Sequence, residues 1–472
     1  MTRAPRRSES AVSRRPAPRN PALATAVVLV LAAACAARQP GQPVQPAQPG
    51  IPPELAAATF DTAWAVIHRT HFDTTFNGVD WLALRDELRP RAAAARTQDE
   101  LRAVIREMLG RLQQSHFSLL TAESAAEREA SADADGGAAG DVGLELRLVG
   151  DDVVVFRVDE GSSAAEAGIR PGWVVRAVED LDVASVVRRQ RERERTQGAD
   201  FRSVERQVVG RVSARLLGDP GTTCRISLED GDGRPVQFEL RRRPWPGQPV
   251  TLGNLTTFLG RVTAEPAHNG DGLRVGVIRF NVWMAPLARE IDDAVDRFRD
   301  ADGIVLDLRG NPGGLAAMVG GVAGHFLDEP AVLGIQHSRG TELRYQANPR
   351  RVNSHGERVE PFSGPLAILV DGLSASATEV FTGGLQSIGR ARIFGQTTAG
   401  GVLPALTHAL PNGDVLMHAI GDFVTAKGER LEGRGVIPDE AVTLTRADLL
   451  AGRDAALLAA LRWIGAVRAG DR

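Results

Sequence analysis

Two loops of the sequence carry residue types suited to acyl-transfer chemistry. One is RGNPGG at 309–314, and the other is SASATE at 374–379. A Gly-Gly turn at the head of a helix exposes backbone N–H groups that suit a developing oxyanion, and a serine there gains the positive end of the helix dipole. Each feature alone is equally typical of structure, because Ser376 with Glu379 also matches a capping box. Together they indicate a candidate serine nucleophile.

A serine hydroxyl needs a base, and histidine is a better candidate than lysine in this chain. Lys427 is the only lysine among 56 Lys and Arg residues, and its TAKGE segment predicts an exposed hairpin turn. A lysine base requires burial that lowers its pKa. Of the nine histidines, His116 follows Ser115 just past a well-defined helix, whereas His68 and His71 share a helix face without an acidic partner motif and are interpreted as structural. A neutral imidazole can take the serine proton, and a carboxylate can orient the ring.

Both loops follow segments that predict buried strands. These strands are 304–308 and 366–370, and a further strand at 275–280 precedes an amphipathic helix marked by Leu287, Ile291, Val295 and Phe298. Strands that alternate with helices predict an α/β core of parallel sheet with crossover helices. Such sheets place their sites at the carboxyl ends of the strands, where both loops lie.

The segment before His116 predicts a helical subdomain at 54–123. Short helices are predicted around Trp64 and Trp81, and a clearer helix begins at Thr97, where Glu100 completes a capping box. Its apolar stripe runs from Leu101 to Leu112. An Ala/Glu/Asp/Gly-rich stretch at 124–140 predicts a linker.

Residues 141–245 predict a small inserted β/α module. Strands at 142–148 and 152–158 are followed by a short helix and turn at 162–172, and the Arg/Glu run at 188–195 predicts a solvated helical insertion. This order resembles a bacterial PDZ domain, although Trp173 stands where aspartate is common. The resemblance implies that the backbone N–H groups of Gly143, Leu144 and Glu145 hold the carboxylate of a peptide C-terminus.

The amino-terminal residues predict export. Six arginines precede an uncharged apolar run at 21–37, which is too short to cross a bilayer comfortably. LAAAC at 31–35 resembles a bacterial lipobox, in which Cys35 would be lipidated and the signal would span 1–35. The alternative is cleavage after an Ala-x-Ala site, which leaves a soluble secreted protein. A Pro/Gln-rich tether at 36–53 follows, so we expect a periplasmic or outer-membrane lipoprotein, or a secreted protein.

Composition narrows the function classes. The 472 residues are 43% hydrophobic and 24% charged with a net charge of −3, which indicates a globular protein and excludes disordered, collagenous and polytopic membrane classes. The arginines are balanced by acids, so no nucleic-acid partner is expected. Two cysteines, Cys35 and Cys224, cannot build a disulfide framework or a multi-cysteine metal site. We expect no metal and no organic cofactor.

Three motifs in order resemble the S41 peptidases, the carboxyl-terminal processing protease and tricorn group. They are DLRGNPGG at 307–314, SASATE at 374–379 and EGRGVIPD at 432–439, and the resemblance covers roughly 60–442. It implies a ClpP/crotonase-like core at 250–446 with a C-terminal helix at 447–472. It also implies that Ser376 is the nucleophile and that the N–H groups of Gly313 and Ala377 form the oxyanion hole.

The resemblance also distinguishes two ways of activating the serine. One branch of the family places a lysine 25 residues after it, and this sequence has Gly401 there. The tricorn-like branch uses a histidine preceded by a serine, with a glutamate near the Gly-Val-x-Pro-Asp segment. By that pattern His116 is the base, Ser115 its supporting partner and Glu432 its orienter.

The sequence therefore predicts an exported serine endopeptidase that acts on proteins or peptides, including through their C-termini, and touches a membrane only by a lipid anchor. A second hypothesis is a non-catalytic peptide-binding PDZ lipoprotein with a degraded peptidase core, favoured by the missing lysine and by Trp173. A third is an acyl-CoA-type hydratase or hydrolase, against which the export signal and the PDZ-like module speak. The oligomeric state stays open.

Overall fold

The computed structural model describes residues 50–123, 140–197, 204–250, 258–268 and 272–470. The predicted export signal, the candidate lipidation site Cys35 and nearly all of the predicted linker lie outside these ranges. In the part of the chain described, no helix combines the length and the apolar composition that a membrane crossing requires. Cys224, the other cysteine, is buried as a free thiol.

Helices and strands alternate along the described chain. The helices are α1 (Pro53–Thr70), α2 (Trp81–Ala93), α3 (Gln98–Arg111), α4 (Ser163–Glu166), α5 (Val183–Gln197), α6 (Val204–Leu216), α7 (Ala288–Arg297), α8 (Val319–Ala323), α9 (Ala377–Ser387), α10 (Arg446–Leu450) and α11 (Ala455–Gly470). The strands are β1 (Ser118–Leu120), β2 (Gly140–Asp141), β3 (Leu144–Val149), β4 (Asp152–Val158), β5 (Val174–Val178), β6 (Leu181–Asp182), β7 (Thr223–Glu229), β8 (Pro235–Arg241), β9 (Arg243–Pro244), β10 (Gln248–Val250), β11 (Phe258–Gly260), β12 (Val262–His268), β13 (Arg274–Phe280), β14 (Gly303–Asp307), β15 (Ala331–Ser338), β16 (Thr341–Ala347), β17 (Leu366–Val370), β18 (Arg392–Gly395), β19 (Ala405–Ala409), β20 (Val415–Ala419), β21 (Gly421–Thr425) and β22 (Glu440–Ala441).

The central sheet has six strands in the order β12-β13-β14-β17-β18-β22. All pair in parallel except β12, which runs antiparallel to β13 at one edge. Strand β14 is buried on both faces, as a parallel strand covered on both sides must be. The predicted parallel α/β core is confirmed. The loops after β14 and β17 meet at the carboxyl edge, where the Ala375 N–H donates to the Asn311 carbonyl at 3.0 Å.

The amino-terminal helices pack against a segment near the carboxyl-terminal end of the core. The capping box at Thr97 and the buried stripe of α3 are as predicted, but α1 is an 18-residue helix and not a short one. Strand β1 pairs with β20, and the helices share one apolar cluster with residues of 403–419. The buried Arg102 guanidinium bonds both Asp414 oxygens at 2.7 and 2.9 Å. These contacts join segments about 300 residues apart, which local patterns do not reveal.

The middle module is an antiparallel sheet in the order β3-β4-β5-β7-β8, with β6 beside β5. Pairing of β2 with β9 closes it near the predicted limits of 141 and 245. The Arg/Glu run at 188–195 lies on α5 and is mostly exposed, as predicted. Trp173 packs beside Phe238 with ring centroids 6.3 Å apart, so the module accommodates this departure from the PDZ pattern.

The carboxyl-terminal segment, expected as one helix over 447–472, instead forms two helices. Gly452, with φ of +66°, lies between α10 and α11. Asp454 then accepts from the N–H of Leu457, as a helix N-cap does. Leu449 of α10 packs on the middle module, whereas α11 covers one face of the central sheet. The break lets one short segment contact two different units.

Candidate active site

Ser376 ends the loop after β17 and immediately precedes α9. Its backbone has φ 56° and ψ −120°, a combination that residues other than glycine rarely adopt. Its N–H donates to the Gly401 carbonyl at 2.9 Å and to Glu379 Oε2 at 3.0 Å. The residue is partly exposed. The strained turn therefore presents a hydroxyl at the positive end of α9.

Glu379, to which the sequence assigned only a capping role, is the centre of a buried hydrogen-bond network. Its side chain accepts from the N–H groups of Ser376, Gly400 and Gly401 and from the Thr398 hydroxyl. Burial raises the pKa of Glu379 to about 7, although these four donors favour the carboxylate. Glu379 thereby ties the nucleophile turn to 398–401. The Ser-x-x-Glu spacing was the only sequence signal for it.

His116 is held through what we call the Ser115 bridge, formed by His116 Nδ1, Ser115 Oγ and Glu432 Oε2. The first two atoms are 2.7 Å apart, and the Ser115 hydroxyl donates to Glu432 Oε2 at 2.9 Å. The Ser115 N–H also donates to Glu432 Oε1 at 2.8 Å. Among the described residues, Glu432 therefore holds Ser115 and reaches the imidazole only through it. His116 itself has φ 61°.

One peptide unit links the Ser115 bridge to the nucleophile. The Gly401 carbonyl accepts from the Ser376 N–H, and the next N–H, that of Val402, donates to Glu432 Oε2 at 3.0 Å. Ser376 and the bridge are thus joined by consecutive backbone contacts. Among the described residues, no hydrogen bond connects the Ser376 hydroxyl with His116 in this state. Gly401 stands where the lysine-dependent branch of the resembled family has its lysine, and in this chain it is part of the peptide that links Ser376 to the Ser115 bridge.

The surroundings of His116 favour a neutral imidazole. Burial and the positive charge of Arg206, from α6 of the middle module, lower the pKa of His116 to about 4. Burial raises the pKa of Glu432, against the hydrogen bonds that it accepts from Ser115 and Val402. Because Ser115 Oγ donates to Glu432, it accepts from the Nδ1–H of His116, which leaves the Nε2 lone pair available for a proton.

The oxyanion loop lies directly against the nucleophile. A Cβ on Gly313, which has φ of +98°, would meet Ser376 Cβ at 2.6 Å. The Gly313 N–H, however, donates to Asn311 Oδ1 at 3.0 Å in this state. Ala377 begins α9, and no described residue accepts a hydrogen bond from its N–H. Of the two predicted oxyanion donors, the Ala377 N–H therefore has no acceptor among the described residues, and the Gly313 N–H is bonded to Asn311.

Lys427 does not have the surroundings that a lysine base requires. It is exposed in the turn that follows β21, where the Gly428 N–H donates to the Thr425 carbonyl at 2.8 Å. The predicted exposed hairpin turn is confirmed. A lysine that serves as the base for a serine must be buried, and Lys427 is not.

The other predicted binding groups lie in the middle module. Gly143, Leu144 and Glu145 lead into β3, an edge strand. The N–H groups of Val142 and Gly143 bond the Asp141 carboxylate, so this loop already holds an internal carboxylate. The Glu145 side chain bonds Arg147 and, across the junction with the core, Arg279. In the ranges described, no group of three or more His, Cys, Asp or Glu side chains is arranged to hold a metal ion.

Comparisons with known proteins match two parts of the chain to known families and the chain to named relatives. Residues 274–442 match peptidase family S41, and residues 52–110 match the tricorn protease C1 domain. The carboxyl-terminal-processing protease of Synechocystis sp. is 25% identical over 385 residues, which cover 80% of this chain and 79% of that protein. The chloroplastic carboxyl-terminal-processing peptidase 2 of Arabidopsis thaliana is 24% identical over 388 residues, which cover 80% of this chain and 67% of that protein.

A solved structure supports the fold. The photosystem II D1 C-terminal processing protease matches with a TM-score of 0.54 at 23% identity, over 85% of this chain and 98% of that one. The α/β fold is therefore shared. The chain therefore contains a domain of peptidase family S41 at residues 274–442, and its sequence is similar to carboxyl-terminal-processing proteases.

Proposed function

We propose that this protein is an exported serine endopeptidase that cleaves proteins or peptides through an acyl-enzyme on Ser376. His116 is the general base, Ser115 its hydrogen-bond partner, and Glu432 the carboxylate that holds Ser115. The observation that carries the proposal is the unbroken contact path from Ser376 through the 401–402 peptide to Glu432, Ser115 and His116. The partners come from four segments of the chain, at 115–116, 376, 401–402 and 432.

In acylation, Ser376 Oγ attacks the scissile carbonyl carbon while His116 Nε2 accepts the hydroxyl proton. The positive charge that forms on the imidazole is stabilised by Glu432 through Ser115. The imidazolium then protonates the leaving amine, and water hydrolyses the acyl-enzyme with His116 again as base. Catalytic contacts are often long in the resting enzyme, so we expect the contact between Nε2 and Oγ to tighten when substrate binds.

The oxyanion is held by two backbone donors in this proposal. Ala377 offers an open N–H at the positive end of α9, where the helix dipole adds to the hydrogen bond. Gly313 lies against the nucleophile, and its N–H exchanges Asn311 Oδ1 for the oxyanion when the tetrahedral intermediate forms. Both donors are backbone groups, so the loop conformation determines their activity.

The proposals of export and of substrate capture are based on the sequence. The apolar run at 21–37 and the lipobox-like Cys35 support an envelope lipoprotein, with free secretion after Ala-x-Ala cleavage as the alternative. Gly143, Leu144 and Glu145 at the edge of β3 support recruitment of peptide C-termini by strand addition. For this, an incoming carboxylate must displace Asp141 from the N–H group of Gly143.

Labelling with a fluorophosphonate tests the proposal directly. The purified chain should be labelled at Ser376 and should cleave casein or a fluorogenic peptide, and both properties should disappear in Ser376→Ala. His116→Ala should lower the turnover by several orders of magnitude. A correctly folded wild-type chain that neither labels nor cleaves would instead support the non-catalytic peptide-binding hypothesis. Cleavage by Ser376→Ala at the original rate would refute the assignment of the nucleophile.

A further inference from the structure

The residues on either side of Ser115 and His116 are both contacted by one buried histidine, His71. Its Nε2 lies 2.9 Å from Gln114 Oε1, and its ring stacks on Phe117 with centroids 5.6 Å apart and planes 15° apart. All three side chains are buried, with exposures of 0% for His71, 6% for Gln114 and 1% for Phe117. One imidazole therefore contacts the residue before Ser115 and the residue after His116.

The segment that His71 contacts is strained and needs external support. Gln113 has φ 49° and His116 has φ 61°, so two non-glycine residues within four positions adopt the left-handed region. This conformation is unfavourable for residues other than glycine, and it persists only where its surroundings over-determine it. Glu432 holds the segment from the core side through Ser115. His71 holds it from the side of the amino-terminal helices.

The His71 ring is itself fixed. Its Nδ1 lies 2.8 Å from the Asp73 carbonyl oxygen and 3.1 Å from the Asp73 nitrogen, and its ring stacks on Phe72 with centroids 4.9 Å apart. The His71 N–H caps α1 by donating to the Ile67 carbonyl at 2.8 Å. Because Gln114 Oε1 can only accept, the hydrogen bond at Nε2 requires a proton on that nitrogen, whichever Asp73 group Nδ1 bonds. The ring is thus a rigid donor aimed at the catalytic segment.

A second tether from the same turn reinforces the first. Asn77, with φ 55°, donates from Nδ2 to the Leu112 carbonyl at 2.9 Å, at the end of α3. The Asp73 carboxylate in turn accepts from the Asn77 N–H at 2.8 Å. The turn after α1 thus anchors both ends of the stretch from Leu112 to Phe117.

We propose that His71 is a positioning residue for catalysis, which acts by holding His116 in reach of Ser376 through Gln114 and Phe117. This inference rests on the proposed function and revises the structural role that the sequence suggested for His71. A residue that positions a base changes the rate of the chemical step more than substrate affinity. A misplacement of about 1 Å can cost roughly a hundredfold in rate.

The test compares His71→Phe with His68→Phe in the full chain. Phenylalanine keeps ring stacking at both positions but removes the donor to Gln114 only at His71. His68 is a matched control because it lies three residues earlier, in the last turn of α1, and is stacked between Trp64 and Phe76. Its Nδ1 bonds no residue in the part of the chain described. The readouts are kcat and KM on a fluorogenic peptide, inactivation by diisopropyl fluorophosphate, and thermal melting.

We expect His71→Phe to lower kcat and the inactivation rate roughly ten- to a hundredfold with KM nearly unchanged, and His68→Phe to match the wild type. His71→Gln, whose amide can donate from nearly the same place, should recover part of the rate. If His71→Phe does not fold, Gln114→Met removes the acceptor instead and should show the same loss of kcat.

Two outcomes separate this inference from the proposed function. If His116→Ala is inactive but His71→Phe and Gln114→Met both match His68→Phe, the positioning role is refuted and the catalytic assignment stands. If His116→Ala keeps the wild-type rate, the proposed function fails and the positioning role fails with it. A loss confined to KM or to melting temperature would also overturn the inference, because it would indicate binding or stability rather than positioning.

Discussion

Removal of the Ser115 hydroxyl is the sharpest perturbation of the proposed mechanism. Ser115→Ala deletes two short hydrogen bonds, one of 2.7 Å to His116 Nδ1 and one of 2.9 Å to Glu432 Oε2. A hydrogen bond to a charged group contributes about 1.5–3 kcal/mol, and 1.36 kcal/mol corresponds to a tenfold change in rate. The expected fall in kcat/KM is therefore roughly ten- to a hundred-and-fiftyfold. Activity should persist, because Nε2 of His116 is untouched.

The assay is steady-state cleavage of a fluorogenic peptide, together with the rate of inactivation by a small organophosphate. Ser118→Ala is a matched control, since the same substitution three residues away in β1 leaves the Ser115 bridge intact. Circular dichroism and thermal melting should show that both variants fold. An unchanged kcat/KM for folded Ser115→Ala would refute the bridge as part of catalysis.

A double variant separates an indirect role of Glu432 from a direct one. Glu432 reaches the imidazole only through Ser115, so Glu432→Gln should cost much less in the Ser115→Ala background than in the wild type. Residues that act as one unit show this non-additivity. Equal fold-losses in both backgrounds would show that Glu432 acts on the base independently, and the reasoning from the bridge would be wrong.

Three further predictions concern the oxyanion loop, the lone lysine and the base. Gly313→Ala should lower kcat at least a hundredfold in peptide cleavage, because its Cβ would meet Ser376 Cβ at 2.6 Å. The control Gly356→Ala, with φ of +82° in open space, should leave kcat unchanged. Equal effects of the two substitutions would contradict a local clash. Lys427→Met should keep kcat/KM within about twofold, since an exposed ammonium is a poor base, and a large loss would revive a lysine mechanism. The pKa of His116 is lowered to about 4, so its imidazole stays mostly neutral at pH 5.5, where an ordinary histidine of pKa about 6.5 is mostly protonated. NMR titration of the His116 ring should therefore give a midpoint near pH 4, and a midpoint near pH 6.5 would contradict the lowered pKa; kcat/KM is a less direct readout because it also depends on Glu379, whose pKa is raised to about 7. Folding disfavours the His116 proton, so the stability contributed by His116 is complete above about pH 6.5 and lost towards pH 4, which melting curves at each pH can monitor.

Local patterns predicted much of the fold. Three predicted features depend on residues close together in the chain, and all three are present. They are the strands that precede the two loops, the capping box at Thr97 and the exposed turn at Lys427. The prediction of a single carboxyl-terminal helix was wrong, because the segment breaks into two helices that pack on different units. Leu449, in the first of them, packs on the middle module. The pairing of β1 with β20 joins residues about 300 positions apart, and local patterns did not predict it.

The site shows the same division. Residue types and motif order, through the resemblance to S41 peptidases, predict Ser376, His116, Ser115 and Glu432 as site residues. Only the tertiary structure decided that Glu432 bonds Ser115 and not the imidazole, and that the Gly401 peptide connects the bridge to the nucleophile.

By itself, the sequence determined which residues can do chemistry and which chemistry is open to them. The single lysine at 427 and the glycine at 401 direct proton transfer to histidine. The tertiary structure decided which groups hold the segment of that histidine. One of the contacts is that of His71 with Gln114, across 43 residues. The physical reason is that periodicity, caps and turns act over a few residues, whereas hydrogen bonds between distant side chains depend on how whole elements pack.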